Sequence, residues 1–152
     1  MMARKETCVL TNMCMVYDGD RILVQERVNP DWAGLTFPGG HVEPHESFVD
    51  SVVREVKEET GLDIRDVQLC GIKQWTSRDG SYRYIVLFFK TDVFSGELCS
   101  SDEGRVFWID KKDIGNYTLA HDFDSMLEVF LNDGLTENYH YFENGQWLVE
   151  NK

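Results

Sequence analysis

One segment of the sequence, residues 37–62, constrains the fold more than any other. It opens with Phe-Pro-Gly-Gly, a cluster that bends the backbone sharply, and continues into a helical pattern over residues 47–60. Apolar side chains recur at helical spacing, Ser47 and Asp50 resemble a capping box, and Gly61 suits the end of a helix. The chain must therefore fold a sharp loop directly into an amphipathic helix whose apolar face packs on a core.

The rest of the sequence predicts strands, turns and a second helix. Strands are predicted at residues 7–17, 21–28, 67–77, 81–94 and 105–110, with a short one at 41–43 and a final hairpin over 138–150. Residues 29–36 are predicted to be a loop and residues 122–134 a helix. Because residues 84–89 are apolar on both faces, their strand is expected at the centre of the sheet. Residues 1–152 thus predict one α/β domain, a sandwich with a mixed sheet.

The charge of the chain limits its partners. Lys and Arg total 15 against 27 Asp and Glu, which gives a formal net charge of -12. That balance argues against binding to a nucleic-acid duplex or to an anionic membrane surface. A phosphate-bearing substrate such as a nucleotide stays open, because bound metal ions would invert the local charge.

The cysteines and the apolar segments indicate a cytoplasmic protein. Cys8, Cys14, Cys70 and Cys99 are scattered without a Cys-x-x-Cys pair, which favours reduced thiols over a zinc site. Residues 1–17 lack the apolar centre of a signal peptide, and the strongly apolar run at residues 84–89 is too short to span a bilayer. We expect a monomer or a homodimer.

The first predicted helix carries three glutamates in one sector. At about 100° per residue, Glu55, Glu58 and Glu59 fall together at the edge of the apolar face, and Arg54 lies just beyond them. Like charges at this spacing repel, and a merely solvated face normally intersperses lysines among glutamates. Grouped carboxylates are the ligands that Mg²⁺ or Mn²⁺ prefers. The helix alone leaves two interpretations open, a divalent metal site and an ordinary acidic face.

The spacing around these glutamates resembles the Nudix box, G-x5-E-x7-R-E-U-x-E-E-x-G-U, in which U is aliphatic. The matching residues are Gly40, Glu46, Arg54, Glu55, Val56, Glu58, Glu59, Gly61 and Leu62. By average residue usage, a chance match in a chain of this length is on the order of one in ten million. The resemblance implies a Nudix fold, an α/β/α sandwich with a mixed sheet. It also implies an enzyme that uses a divalent metal to cleave a nucleoside diphosphate linked to another moiety.

Carried over position by position, the resemblance gives roles to the charged residues. Glu55, Glu58 and Glu59 look like the metal ligands, with Arg54 orienting Glu55. Family members take the base that activates water either from the box or from a later loop, and Glu103 lies just before a predicted strand. Glu103 is therefore predicted as a fourth ligand or as the base, against the alternative of an exposed turn residue. The choice of base between Glu55 and Glu103 stays open.

The remaining box residues have supporting roles in this resemblance. Gly40 and Gly61 are structural glycines, and Glu46 would support the junction of loop and helix or hold an outer-shell water. Gly39 and Gly40 lack a Cβ, so a backbone carbonyl, predicted to be that of Gly39, could approach the metal.

Beyond the box, the chain resembles the MutT-type branch, which cleaves purine nucleoside triphosphates, including 8-oxo-dGTP, to a monophosphate and pyrophosphate. Arg27 looks like that branch's phosphate contact, with a surface arginine as the alternative, and Thr36 lies near a position that contacts the base. Asp122 or Asp124 could read a purine edge, the alternative being a helix N-cap and an acidic first turn.

Two tryptophans and two histidines have open roles. Trp32 and Trp75 could stack on a base or belong to the core. His45 stands where relatives usually have glycine, and the pair of His41 and His45 could instead be a zinc site on an irregular loop.

Two alternatives to triphosphate hydrolysis stay open. The first is a Nudix hydrolase with another substrate: ADP-ribose, a dinucleoside polyphosphate, a nucleotide sugar or capped RNA. The second is a Nudix module kept only for binding. The intact Glu55, Glu58 and Glu59 argue against the second, because an inactive site has no need for three crowded acids.

Overall fold

Ten strands and two α-helices occur in residues 3–152, the part of the chain that the computed structural model describes. The strands are β1 (Cys8–Asp18), β2 (Arg21–Arg27), β3 (Gly34–Thr36), β4 (Asp63–Arg65), β5 (Gln68–Thr76), β6 (Arg83–Thr91), β7 (Val93–Ser95), β8 (Gly104–Asp110), β9 (Glu137–Glu143) and β10 (Gln146–Asn151). The helices are α1 (Phe48–Thr60) and α2 (Phe123–Leu131), and short 3₁₀ turns lie at Pro30–Trp32 and Lys111–Asn116. Neither α-helix has the length and apolar character that crossing a membrane requires.

Eight of these strands form one mixed sheet in the order β10-β9-β5-β6-β1-β2-β3, with β8 paired to β2. β1 runs parallel to β6, and β5 runs parallel to β9. β6 lies between β5 and β1, and its residues Val86, Leu87, Phe88 and Phe89 are buried. The predicted mixed sheet and its central apolar strand are confirmed.

The two α-helices cover opposite faces of this sheet. Val52 and Val56 of α1 pack in one apolar cluster with Cys14 and Leu87. Phe123, Met126 and Phe130 of α2 pack in a second cluster on the other face. Since successive strand residues point to opposite faces, Met13 and Met15 of β1 belong to the second cluster while Cys14 belongs to the first. The predicted α/β/α sandwich is confirmed.

Both predicted ends of α1 are confirmed by hydrogen bonds. The Ser47 hydroxyl accepts from the Asp50 N–H at 3.0 Å and caps the first turn. Gly61 adopts a left-handed conformation with φ 77°, and its N–H donates to the Lys57 carbonyl at 2.9 Å. These caps fix where α1 starts, and therefore where its glutamates lie relative to the preceding loop.

The sequence interpretation is wrong for several short elements. The predicted loop at residues 29–36 contains a 3₁₀ turn and β3, which pairs with β2. The predicted strand at residues 81–94 divides into β6 and β7, and β7 pairs with β4, which was not predicted. Residues 41–43 form a single bridge at His41 instead of a strand, and α2 ends at Leu131. Three-residue strands depend on their partners, so they leave no periodic signal in the sequence.

Candidate active site

The Pro-Gly-Gly loop is held against one edge of β1. The Cys14 N–H donates to the Pro38 carbonyl at 2.9 Å, and the Asn12 N–H donates to the Gly40 carbonyl at 2.8 Å. The carbonyl of Gly39, which lies between them, accepts no hydrogen bond in the part of the chain that is described. A Cβ on Gly39 would overlap the Asn12 carbonyl oxygen, so the approach of loop and strand requires glycine. The loop therefore presents one free backbone acceptor at a fixed position.

Arg54 joins this loop to helix α1. Its Nε and Nη2 donate to the two carboxylate oxygens of Glu46 at 2.7 and 3.0 Å, and Nη2 also donates to the His41 carbonyl at 3.0 Å. Its Nη1 donates to Glu55 at 2.8 Å and lies 3.3 Å from the Glu58 carboxylate. The hydrogen bonds from Arg54 hold the pKa of Glu46 below its usual range. One guanidinium thus orients three carboxylates.

Glu59 is the most buried carboxylate of α1. Its side chain is almost enclosed, with 5% of the residue exposed, and its Oε2 accepts from the Gly39 N–H at 2.9 Å. Burial raises the pKa of Glu59 to about 7, and the negative charges of Glu55 and Glu103 add to that rise. The hydrogen bond from Gly39 and the charge of Arg27 oppose it. This end of the helix is therefore a place where added positive charge would be strongly favoured.

Gly40 makes room for the carboxylate of Glu55. A Cβ built on Gly40 would overlap that carboxylate, so a side chain here would displace Glu55. The Glu55 side chain is itself mostly buried between the loop and Arg54. The Glu58 side chain is 59% exposed and touches Arg54 from the solvent side. Of the three box glutamates, Glu55 and Glu59 thus face inward and Glu58 outward.

Arg27 at the end of β2 and Glu103 in the turn before β8 line the cleft with the box residues. Arg27 ends β2, and its Nη2 lies 3.7 Å from the Glu103 carboxylate, which is 57% exposed. The Arg27 guanidinium also lies over the Trp32 ring, 5.3 Å from its centroid. Both Arg27 and Glu103 are therefore available to a ligand that approaches the box.

A cleft of about 910 Å³ runs from the box to the far side of the sheet. Its acidic end is lined by Gly39, Gly40, Glu55, Glu59, Glu103 and Arg27. Its far end is lined by Lys73, Trp75, Tyr84, Asp122, His140 and Trp147. Trp75 and Tyr84 are stacked on each other there, with ring centroids 4.3 Å apart. The cleft thus combines a carboxylate end with an aromatic and polar end.

The family model described as the NUDIX domain matches residues 9–130 of this sequence. The chain belongs to the Nudix hydrolase family. It is an enzyme of the class that acts on nucleoside diphosphate derivatives, and Nudix hydrolases generally use divalent metal ions.

Known Nudix proteins are similar over much of the chain. The uncharacterized Nudix hydrolase YvcI of Bacillus subtilis is 33% identical over 123 residues, which cover 76% of this chain and 77% of that protein. An ADP-ribose pyrophosphatase of Methanocaldococcus jannaschii is 36% identical over 88 residues, which cover 58% of this chain and 52% of that enzyme. The crystal structure of a MutT protein from Bacillus halodurans superposes with a TM-score of 0.72 at 26% identity, over 92% of this chain and 94% of that one.

Most of the predicted substrate contacts line the cleft of this Nudix hydrolase, but one does not. Arg27 and Asp122 line the cleft, as do Trp32 and Trp75. Thr36 does not: it is fully buried in β3, opposite Gln25 of β2, and its hydroxyl has no partner within the described residues. The prediction that Thr36 contacts a base therefore fails in this conformation, because the pairing of β3 with β2 turns its side chain into the interior.

Asp122 is the N-cap residue of α2, but its side chain does not cap the helix. Its backbone is left-handed, with φ 63°, and its side chain makes no capping hydrogen bond. Its carboxylate turns into the cleft instead, 3.8 Å from the Lys73 ammonium and 3.6 Å from His140 Nδ1. Asp124 lies in the first turn of α2, away from the cleft, as the alternative interpretation expected. Asp122 therefore occupies the N-cap position that the alternative interpretation gave it, but its side chain is directed to the cleft and does not cap the helix.

The two loop histidines have structural positions in this Nudix fold. His41 contributes its carbonyl to Arg54, and His45 has a left-handed backbone with φ 65°. A left-handed position favours glycine, which accounts for the glycine expected there in relatives. Among residues 3–152, no three acidic, histidine or cysteine side chains are already grouped as a metal ligand set. In this state Glu55 and Glu58 pair with Arg54 and Glu59 pairs with Gly39.

Sequence reasoning missed Asn12, Lys73, Tyr84 and His140 as cleft residues. Asn12 is buried on β1, and its amide contacts the Gly40 N–H and the Ser51 hydroxyl, which ties the loop to α1. Lys73 is buried in the middle of β5. A lysine at an inward position of a predicted strand is the signal that could have pointed to it, because lysine is almost never buried without a role or a partner.

Two alanine substitutions in the loop should have different outcomes. Gly39→Ala is expected to destabilise the fold by about 3 kcal/mol or more, since the new Cβ meets rigid backbone. Gly40→Ala is expected to leave the fold largely intact and to slow turnover about 100-fold, since its Cβ meets the movable end of Glu55. Urea unfolding and initial rates measure both, with Gly115→Ala, at an open position, as the control. Equal loss of stability in both variants would contradict the assigned contacts.

Proposed function

We propose that this Nudix hydrolase uses Mg²⁺ or Mn²⁺ to cleave a nucleoside triphosphate into a nucleoside monophosphate and pyrophosphate, with a purine deoxynucleotide such as 8-oxo-dGTP as the leading substrate. The observation that carries this proposal is the single cleft that joins the box carboxylates to the stacked Trp75 and Tyr84. Its volume of about 910 Å³ is within the range of small-ligand sites and suits a whole nucleotide. A triphosphate at the acidic end would leave the base at the aromatic end.

The residues at the acidic end fit a hard divalent cation. Glu55, Glu59 and the free carbonyl of Gly39 offer oxygen atoms from two adjoining elements. The space over Gly40, which a Cβ would fill, leaves the Glu55 carboxylate accessible. The raised pKa of Glu59 is consistent with a cation site, since a bound positive charge would favour its ionised form. When bound, Mg²⁺ would neutralise phosphate charge and lower the pKa of a bound water.

The protein's own charged groups would then position the phosphates and the attacking water. Arg27 lines the cleft opposite the box and would contact phosphate oxygens. Glu103 is the favoured base, because its nearest cation is 3.7 Å away and it reaches the cleft from the solvent side. Glu55 is less available as a base, since Arg54 holds it at 2.8 Å. Glu58 would act through Arg54 and as an outer ligand.

A nucleotide panel with resolved products tests the proposal. Equal concentrations of dGTP, 8-oxo-dGTP, dATP, ADP-ribose and a dinucleoside polyphosphate are incubated with and without Mg²⁺, and the products are separated by chromatography. The expected result is a monophosphate plus pyrophosphate from a triphosphate, with no turnover when the metal is chelated. Hydrolysis of ADP-ribose without hydrolysis of any triphosphate would overturn the proposal.

The second candidate is ADP-ribose hydrolysis, favoured by the name of the relative from Methanocaldococcus jannaschii. It predicts AMP and ribose 5-phosphate without pyrophosphate. A binding module would show no turnover of any nucleotide, even where Mg²⁺ and nucleotide raise the melting temperature. The same panel therefore separates all three functions.

A further inference from the structure

The far end of the cleft holds a polar cluster that phosphate hydrolysis does not use. Lys73, Asp122 and His140 come from β5, the start of α2 and β9, and all three line the cleft. The side chains of Lys73 and His140 are 10% and 7% exposed. The Lys73 ammonium lies 3.8 Å from Asp122, too far for a direct hydrogen bond, and 5.5 Å from the centroid of the Trp75 ring. It makes no side-chain hydrogen bond in the described residues. An ammonium that ends a largely buried side chain, opens into a cleft and has no hydrogen-bond acceptor indicates a site that a ligand completes.

A chain of amides fixes the orientation of His140. The Asn151 amide nitrogen donates to the Ser125 carbonyl at 3.0 Å and to the Glu128 carboxylate at 2.8 Å, so its oxygen must be an acceptor. That oxygen accepts a hydrogen bond from the Asn138 amide nitrogen at 2.8 Å. The Asn138 amide oxygen therefore faces His140 Nε2, at 2.7 Å. Since the Asn138 oxygen can only accept, His140 Nε2 carries the proton.

The other ring nitrogen of His140 therefore presents a lone pair. Burial, together with the nearby charge of Lys73, lowers the pKa of His140 to about 4, which keeps the ring neutral. Its Nδ1 lies 3.6 Å from the Asp122 carboxylate, so two acceptors adjoin each other beside the Lys73 ammonium. The exposed ring of His121 also approaches this carboxylate, with its Nε2 at 3.3 Å. Two adjoining acceptors repel unless hydrogen-bond donors lie between them.

We propose that Lys73, Asp122 and His140 select the nucleobase by requiring one carbonyl oxygen beside two N–H groups. This inference rests on the proposed nucleotide hydrolysis. In this arrangement Lys73 donates to the carbonyl oxygen, while the Asp122 carboxylate and His140 Nδ1 accept the N–H groups. The Watson–Crick edge of guanine, which 8-oxoguanine shares, has that set: O6, N1–H and the 2-amino group.

Other bases match this set less well. Adenine brings an amino group and a ring nitrogen acceptor, so it lacks the carbonyl oxygen beside two donors. Cytosine and uracil each bring two acceptors against the single donor Lys73. A site built to hydrogen-bond particular groups rejects a ligand that leaves its buried partners unpaired. The stacked pair of Trp75 and Tyr84 forms an aromatic wall at the same end and adds contact area that does not depend on the base.

The test compares bases at constant triphosphate. We expect kcat/KM for dGTP to exceed that for dATP by about 100-fold or more, with dITP, which lacks the 2-amino group, in between. The α,β-methylene analogues of dGTP and dATP cannot be cleaved between the α- and β-phosphates. The dGTP analogue should bind with a lower Kd than the dATP analogue. Hydrolysis of dGTP and dATP at equal efficiency would overturn the inference and leave the proposed function intact. Base-selective binding of the analogues without turnover of any triphosphate would support the inference and overturn the proposed function.

Variants assign the selectivity to the cluster. Lys73→Met and His140→Leu should each reduce the dGTP to dATP ratio of kcat/KM by about 10-fold or more. The ratio is the informative readout, because partial unfolding lowers both rates together. Lys90→Met is the matched control: Lys90 lies on β6, pairs with Asp133 and does not line the cleft. An unchanged ratio in both Lys73→Met and His140→Leu, with each variant folded by circular dichroism, would overturn the inference.

Discussion

At pH 8 without divalent metal, Glu59→Gln is expected to be more stable than the wild type, and yet, once Mg²⁺ is added, to hydrolyse nucleotides at least about 1,000-fold more slowly. The substitution keeps an acceptor for the Gly39 N–H, which donates to Glu59 at 2.9 Å. It removes a charge that burial makes costly and that the acidic end of the cleft needs for a cation. Stability and activity should therefore change in opposite directions.

The stability effect has a defined pH range. The pKa of Glu59 is about 7 in the folded protein, against an ordinary value of 4.5. Between these values the folded protein binds more protons than the unfolded chain, so the contribution of Glu59 to stability falls as the pH rises through this range. At about 1.4 kcal/mol per pKa unit, the wild type should lose roughly 3 kcal/mol relative to Glu59→Gln between pH 4 and pH 8.

Urea unfolding at pH 4, 6 and 8 with a chelator measures this difference, and Mg²⁺ at pH 8 should stabilise the wild type more than the variant. Glu143→Gln, at an exposed position of β9, serves as the control. Wild-type turnover in Glu59→Gln would show that Glu59 is not a ligand of the proposed metal site. A stability difference that does not change with pH would contradict the raised pKa.

Arg54→Met is expected to slow turnover by about 100-fold to 1,000-fold and to lower the melting temperature by about 5 °C. The wild-type guanidinium pairs with Glu46, Glu55 and Glu58 and also donates to the loop carbonyl of His41. Without it, three carboxylates repel one another and the loop loses one of its attachments to α1, while those through Glu59 and Asn12 remain. Arg54→Lys should recover only part of the activity, because an ammonium cannot form the paired hydrogen bonds to Glu46.

Lys57→Met is the matched control for this experiment. It removes a cation from the same helix, but Lys57 contacts the Gly61 carbonyl and Asp63 at the far end of α1. It should reduce stability slightly and leave kcat near the wild-type value. If Arg54→Met and Lys57→Met lose the same small fraction of turnover, the orienting role of Arg54 is wrong.

The sequence predicted α1 and its flanking loop well because their determinants are local. Helical periodicity, the Ser47 cap and the left-handed Gly61 lie within one short segment, and each has a direct structural counterpart. Strands β3, β4 and β7 escaped prediction because three residues carry no period, and their existence depends on distant partners. Thr36 was misplaced for the same reason, since the pairing of β3 decides which way its side chain points.

The far end of the cleft could not be predicted from sequence spacing. Lys73, Asp122 and His140 are far apart in the chain, and they meet because β5 pairs in parallel with β9 while α2 packs beside both. Asp122 was one of two candidates at the start of α2, and the sequence favoured an N-cap role over a contact with the base. Its left-handed backbone, which turns the carboxylate into the cleft, is a property of the folded chain.

The hairpin between β1 and β2 sets the distance between two parts of the cleft. These strands pair at Tyr17 with Ile22 and at Asp18 with Arg21, and then diverge. The Pro-Gly-Gly loop lies along the free edge of β1, whereas Arg27 is carried on β2 at the open end of the gap. A nucleotide that contacts both the loop and Arg27 would span the gap between β1 and β2. How well it binds would then depend on the angle at which the two strands diverge from the hairpin. Side chains near this hairpin, far from any reacting atom, could therefore adjust which substrates fit while the chemistry stays the same.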